Sequence, residues 1–281
     1  MSDTALAEIR REIDRIDEAM HGLLMERGEL IGRLMATKGT VQSGAAFRPD
    51  REASMMRALA LRHRGLLPLD TAEGIWRVII ATFTYVQAPF AVQADISGGD
   101  APMRDAARFH FGFTVPYEPR ASGSEVIAAV ARSRGDLGLV RLDQGARAGA
   151  WWRKLEGWDA PRVIARLPFI ERPDHPAGTP LLVVSRPLAA PGARDVILWS
   201  VRAPRWSAAA EDAVLAAGGE VLASAGEPDG LAALLAVPGD VDRDALTRLF
   251  AGAGAPITSL GEIGAHAERF RAPAAEPPHG R

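Results

Sequence analysis

The chain reads as a multidomain protein: an all-α three-helix unit, then an α/β domain, then an α+β module of ferredoxin-like order. Three observations predict this. Up to Pro89, apolar residues recur at three- and four-residue steps. Beyond Pro89, helix-like and strand-like stretches alternate, as in an α/β unit. After the proline-glycine break AAPGAR the order becomes βαββαβ.

The first helix is the longest element. Ile9, Ile13, Ile16, Met20, Leu23, Leu24, Leu30, Ile31 and Leu34 form one stripe between Ala5 and Lys38. Such a helix runs on the order of 50 Å. One three-helix set cannot bury that stripe, so pairing of two copies through their long helices is expected. The segment GTVQSGAAFRPD reads as a loop. A short helix starts near Pro49 or Asp50, with Met55, Met56 and Leu59 on its apolar side, and ends around His63 to Gly65. Asp70 suits the N-cap of a third helix. Its apolar face comprises Ile75, Trp76, Ile79, Ile80, Phe83 and Val86.

Next come a helix in GGDAPMRDAARFHFG and a strand in FTVPYEP. SGSEVIAAVARSRG is a helix capped by Ser122 or Ser124, DLGLVRL a strand, and GARAGAWWRKLEG a helix. RVIARLPFI and PLLVVSRPL are strands. The final module takes its strands from DVILWSVRA, EVLASAG, LAALLAVPG and ITSLGEIGA. Its helices lie in SAAAEDAVLAAGG and DRDALTRLFAGAG. The expected divisions are 1–90, 91–190 and 194–270. The proline-rich tail 271–281 is expected to be disordered.

Composition bounds the function. The chain has 281 residues, 47% hydrophobic and 24% charged, with a net charge of −2. That balance argues against nucleic acid and anionic membranes as partners. With no cysteine, disulfides, thiol catalysis and cysteine-ligated metals are excluded. The histidines are scattered, none paired at metal-ligand spacing, so no metal is expected. No signal pattern and no membrane-length apolar run is visible, which makes the cytoplasm the expected location.

Polar residues on apolar faces carry the chemistry. On the first helix Arg27 lies in line with Ile9, Ile16 and Leu34, with Lys38 within ~20° of it and Arg10 at the stripe's edge. Arg51 and Glu52 open the second helix, and Gln87 extends the face of the third. Taken singly, each has a structural explanation, such as an ion-paired core arginine or a lysine at a helix C-terminus. Together they describe a pocket for a small polyanion. No base, nucleophile or carboxylate pair accompanies them, so such a pocket would hold a dianion in shape and stabilise developing charge.

IRREIDRID, LLMERGELIGRLMATK, RPDREASM and IWRVIIATFTYVQ, between Leu6 and Gln87, resemble the all-helical (AroQ-type) chorismate mutase family. The resemblance implies an intertwined homodimer converting chorismate to prephenate without cofactor, in the phenylalanine and tyrosine pathway. It implies that Arg10 reaches a substrate carboxylate across the dimer and that Arg27 holds a carboxylate within its own subunit. Lys38 and Gln87 would address the ether oxygen, Arg51 would support a carboxylate, and Glu52 would accept from the ring hydroxyl. The chain departs from the family at Arg48, where an acid is frequent, and at Phe83, where a small polar residue is common.

The stretch SGSEVIAAVARSRGDLGLVRL with AGAWWRKL is similar to the middle of prephenate dehydratase domains, and the βαββαβ unit resembles the ACT module. Where that family has its catalytic threonine-arginine-phenylalanine, this chain has Thr179-Pro180-Leu181. ADISGGD replaces the expected glycine-rich, serine-containing opening. These departures imply a degenerate, inactive dehydratase-like domain. The ACT resemblance leaves room for an amino-acid effector. The rival readings are an isochorismate-pyruvate lyase, a bifunctional mutase-dehydratase and a non-catalytic dicarboxylate sensor.

Overall fold

The computed structural model describes residues 3–37, 46–188 and 192–272. It divides into two compact units, Met1–Gly44 and Ala45–Arg281. The first contains α1 (Asp3–Thr37), the long helix its apolar period predicts. No residue of α1 is buried. Among the described residues, no helix is long and apolar enough to cross a membrane.

The second unit opens with α2 (Pro49–Arg62) and α3 (Leu69–Gln87). Proline in the first turn of α2, with Asp50 and Glu52 beside it, is the N-terminal chemistry expected of these residues. Asp70 is not the N-cap of α3. Pro68 stands there without a side-chain cap, and Asp70 lies in the first turn, paired with Arg172. A strong cationic partner outcompetes the local cap.

Alternation follows as β1 (Val92–Asp95), α4 (Asp100–Phe111), β2 (Tyr117–Arg120), α5 (Gly123–Arg132) and β3 (Leu137–Arg141). Ser122 caps α5, accepting from the Glu125 backbone N–H. The stretch GARAGAWWRKLEG is not an α-helix. It forms two 3-10 turns, Gly145–Ala148 and Trp151–Leu155, parted by Gly149 at φ 63°. That conformation suits glycine and interrupts an α-helix, while Trp151, Trp152 and Leu155 still reach the core. The chain continues through β4 (Arg162–Leu167), β5 (Ile170–Glu171) and β6 (Leu181–Ser185).

The last part is β7 (Val196–Ala203), α6 (Ala208–Ala216), β8 (Glu220–Glu227), β9 (Gly230–Pro238), α7 (Arg243–Gly252) and β10 (Ser259–His266). This is the predicted βαββαβ succession, with the four strands side by side in the order β10-β7-β9-β8, all neighbours antiparallel. The short β11 (Phe270–Arg271) pairs with β5. The proline-rich residues 273–281 lie outside the described residues.

One nine-stranded sheet, β2-β1-β3-β6-β4-β10-β7-β9-β8, runs through both parts. Strand β1 was not legible in the sequence because Gln93 and Asp95 break its apolar pattern. Both are buried and satisfied at a distance: Gln93 donates to Asp136 (2.8 Å) and accepts from Arg120 (2.7 Å).

The two halves of the sheet meet where β10 pairs with β4 at Gly264 and Val163. Gly264 has φ 146°, and a Cβ there would lie 2.3 Å from the Val163 carbonyl oxygen. Val126, Trp152, Leu182, Leu198, Leu234 and Ile263 pack one core across this seam. Gly264→Ala is therefore expected to lower stability by at least about 2 kcal/mol, through backbone strain and a forced separation of strands. Urea unfolding of the full chain checks this.

Candidate functional site

The predicted polar set is divided between the two units. Arg10 is exposed on α1, and Arg27 is half-buried. Lys38 lies outside the described residues. Ile9, Ile13, Ile16, Met20, Leu23 and Leu30 of the same helix are each more than 40% exposed, so α1 does not bury its apolar stripe within its own unit. In the second unit Arg51 is exposed and Glu52 half-buried at the start of α2. Burial pushes the Glu52 carboxyl up, against the opposing pull of Arg77. The half-buried Gln87 amide donates to the Phe83 carbonyl one turn back (2.8 Å). An amide nitrogen has two protons, which leaves one for another acceptor.

Helix α3 buries a face that its apolar periodicity did not indicate. The buried residues are Ala72, Glu73, Arg77, Ile80, Ala81 and Thr84. Of the predicted apolar face, Ile80 is buried but Ile75 and Val86 are exposed, at 42% and 53%. The reason is a set of charged hydrogen bonds beneath the helix. The Glu73 carboxylate, fully buried, accepts from Arg172 Nη1 (3.1 Å) and His175 Nε2 (3.2 Å). His175 Nδ1 accepts from the Ala177 backbone N–H (2.9 Å), which places the ring proton on Nε2, facing Glu73. Asp70 pairs with the same arginine.

Between this face of α3, α2, α4 and the sheet lies a cavity of about 750 Å3, its open mouth included. Phe47, Ile80, Phe90, Leu137, Phe169 and Val183 give it apolar walls. Glu52, Arg77, Thr84, His110, Arg166 and His266 give it polar ones. Of the predicted set among the described residues, Glu52 alone lines it. Arg77, His110, Arg166 and His266 were not legible in the sequence, because they come from four separate elements and share no spacing. Both ring nitrogens of His110 are buried without a hydrogen bond, and burial holds its pKa well below the usual histidine range. His266 donates from Nδ1 to the Ala267 carbonyl (2.8 Å) and is lowered to about 4, chiefly by burial.

A second polar cluster closes the carboxyl ends of β1 and β3, where parallel sheets of this winding commonly bind ligands. Arg141, buried, grips Asp143 with two hydrogen bonds (2.8 and 2.6 Å). It holds the Asp143 carboxyl below the usual carboxylate range. Its guanidinium and Gln144 lie so close over Gly98 that a Cβ there would be 2.3 Å from Gln144 Nε2 and 2.6 Å from Arg141 Cζ. The ADISGGD turn is therefore covered by side chains of the protein itself. Leu181, in Thr179-Pro180-Leu181, is fully buried in β6.

Residues 9–88 match the model of the family Chorismate mutase type II. That segment is a chorismate mutase type II domain. All of the predicted polar set, Arg10 to Gln87, falls inside the mutase segment. A bifunctional chorismate mutase/prephenate dehydratase of Aquifex aeolicus is 30% identical over 49% of this chain and 39% of its own length. The stretch it matches is longer than the mutase segment. Proteins of the same description from Neisseria gonorrhoeae (30% identical, 39% of this chain and 29% of that protein) and Pseudomonas aeruginosa (27%, 49% and 39%) also match. The chain thus spans well under half the length of these curated relatives. Among solved structures, a prephenate dehydratase from Streptococcus mutans aligns at TM-score 0.40 with 11% identity, over 65% of this chain and 99% of that one. A chain described as GqqA, a novel type of quorum quenching acylase, aligns at 0.41 with 14% identity, over 63% and 94%.

The two buried histidines beside the cavity make stability depend on pH. Unfolded, His266 takes up a proton near pH 6.5; folded, only near 4. Its contribution is therefore full above about pH 6.5 and is lost as pH falls towards 4, on the order of 3 kcal/mol in all. His110 acts in the same direction. The urea midpoint of the wild type should be lower at pH 4.5 than at pH 7, and His266→Gln should flatten the difference.

Proposed function

We propose that this protein is a chorismate mutase acting as a homodimer. The observation that carries the reading is the coincidence of the mutase segment with the set Arg10, Arg27, Lys38, Arg51, Glu52 and Gln87. Chorismate carries two carboxylates and an ether oxygen that gains negative charge as its C–O bond breaks. Arg27 and Arg51 take the carboxylates of one substrate, with Arg10 entering from the partner subunit. Lys38 and the free N–H of Gln87 meet the ether oxygen, where donors strengthen as charge develops. Glu52 accepts from the ring hydroxyl. The rearrangement is intramolecular and asks for no base, nucleophile or cofactor.

The homodimer reading rests on exposed apolar surface. The stripe of α1 is not buried within its own unit, and Ile75 and Val86 are exposed apolar residues of α3. Burying each such side chain contributes about 1.5–3 kcal/mol, so a second copy covering both stripes has ample driving force. In this reading residues 1–90 form the mutase domain in the cytoplasm. Residues 91–190 are a degenerate dehydratase-like domain, and 194–270 an ACT-like module with room for an amino-acid effector.

A second reading, a bifunctional mutase-dehydratase, is favoured by the descriptions of the curated relatives. Against it stand Thr179-Pro180-Leu181, which lacks the arginine, and the side-chain cover over ADISGGD.

Incubation with chorismate and isochorismate separates the readings. Prephenate as the end product supports the mutase, and phenylpyruvate would establish the bifunctional enzyme. Salicylate would indicate a lyase, and no turnover a sensor. Lys38→Ala is expected to lower kcat roughly 100-fold or more with helical content unchanged. Ile16→Asp, a charge in the middle of the α1 stripe, should halve the mass seen by sedimentation and remove activity with it. Full activity in a monomeric Ile16→Asp variant would refute a site completed by Arg10 of the partner subunit.

A further inference from the structure

We propose that the cavity beneath α3 is a second ligand site, for a small monocarboxylate with a ring-sized apolar body whose carboxylate binds Arg77. Arg77 is 7% exposed. Among the described residues it has no hydrogen bond and no ion pair within 4 Å, and its buried Nε is without a partner. Glu73 and Glu52 act on it only from beyond ion-pair distance, so a carboxylate in the cavity would supply the direct contact that the guanidinium lacks.

The nearest internal carboxylate acts on Arg77 only through space. Glu73, one turn before Arg77 on α3, turns its carboxylate to Arg172 and His175. Glu52 faces the cavity but makes no ion pair with Arg77 within 4 Å among the described residues. The other polar groups set the ligand's charge. Arg166 is neutralised by Glu220 through two hydrogen bonds (2.7 and 3.1 Å). His110 and His266 are buried and neutral near pH 7. Arg77 is thus the cationic group of the cavity that lacks a direct contact among the described residues, and a single guanidinium fork suits a carboxylate.

The remainder of the site specifies the ligand's body. Four phenylalanines, Phe47, Phe90, Phe111 and Phe169, line the space and give a ring-sized apolar body faces to pack on. With Nδ1 of His266 donating to Ala267, its Nε2 is an acceptor, buried and unpartnered. That nitrogen suits a hydroxyl or N–H on the ligand. The site does not depend on the mutase reading, since Arg77, His110, Arg166 and His266 are outside the chorismate set and Glu52 alone is common to both.

The test uses the full chain at pH 7.5, with calorimetric titration and thermal unfolding. The probes are 3-phenylpropanoate, its uncharged amide 3-phenylpropanamide, and acetate. The acid is expected to bind and to raise Tm, with the amide and acetate at least tenfold weaker. Arg77→Met should reduce affinity for the acid at least tenfold without lowering the unliganded Tm, because no hydrogen bond or ion pair within 4 Å is lost among the described residues. Arg27→Ala should leave binding of the acid intact. The proposal is overturned if the wild type does not bind the acid or binds the amide equally well. It is also overturned if Arg77→Met fails to fold or lowers the unliganded Tm, which would make Arg77 a structural partner of Glu73. Loss of binding in Arg27→Ala would place the acid in the mutase pocket and overturn it as well.

Discussion

The hydrogen bonds of Glu73 decide how the second unit is built. A carboxylate with no exposure, held by Arg172 and His175, must keep both partners or bear the cost of a bare buried charge. That requirement turns the polar side of α3 towards the sheet. It also draws Glu73 away from Arg77, one turn further on, and leaves Ile75 and Val86 facing outward. A cavity whose arginine has no direct contact among the described residues and a helix face with exposed apolar side chains therefore have one cause.

The helices were legible because apolar period is a strong signal over many turns, and α1, α2 and α3 appear where it places them. The βαββαβ part was legible down to its succession of elements, since each strand is long and apolar. What escaped were features decided by distant partners. Strand β1 hides because Gln93 and Asp95 are satisfied by residues from elsewhere in the chain. The orientation of α3 was read from its isoleucines, whereas an ion network contributed by the segment after β5 set it. Asp70 was read as a cap for the same reason, its real partner Arg172 being about a hundred residues away.

The polar set proposed for the mutase reading was picked out of the sequence by helical spacing and by resemblance. The cavity residues were not. Arg77 looked like an ordinary charged residue on an amphipathic helix, and His110, Arg166 and His266 are single residues of α4, β4 and β10. Only tertiary structure brings them to one wall. This contrast is general: a site built along helices leaves a periodic trace, and a site built between layers does not.

The pairing of Gly264 with Val163 has a consequence for how the chain could respond to a bound molecule. Modules joined by a flexible tether signal by swinging, and their angle carries the message. Here β10 is at once an edge of the βαββαβ part and the neighbour of β4, so the two parts have no tether to swing on. Any message between them would travel as shear or added twist along a single sheet. The glycine makes that continuity possible by letting two backbones lie closer than a side chain would allow.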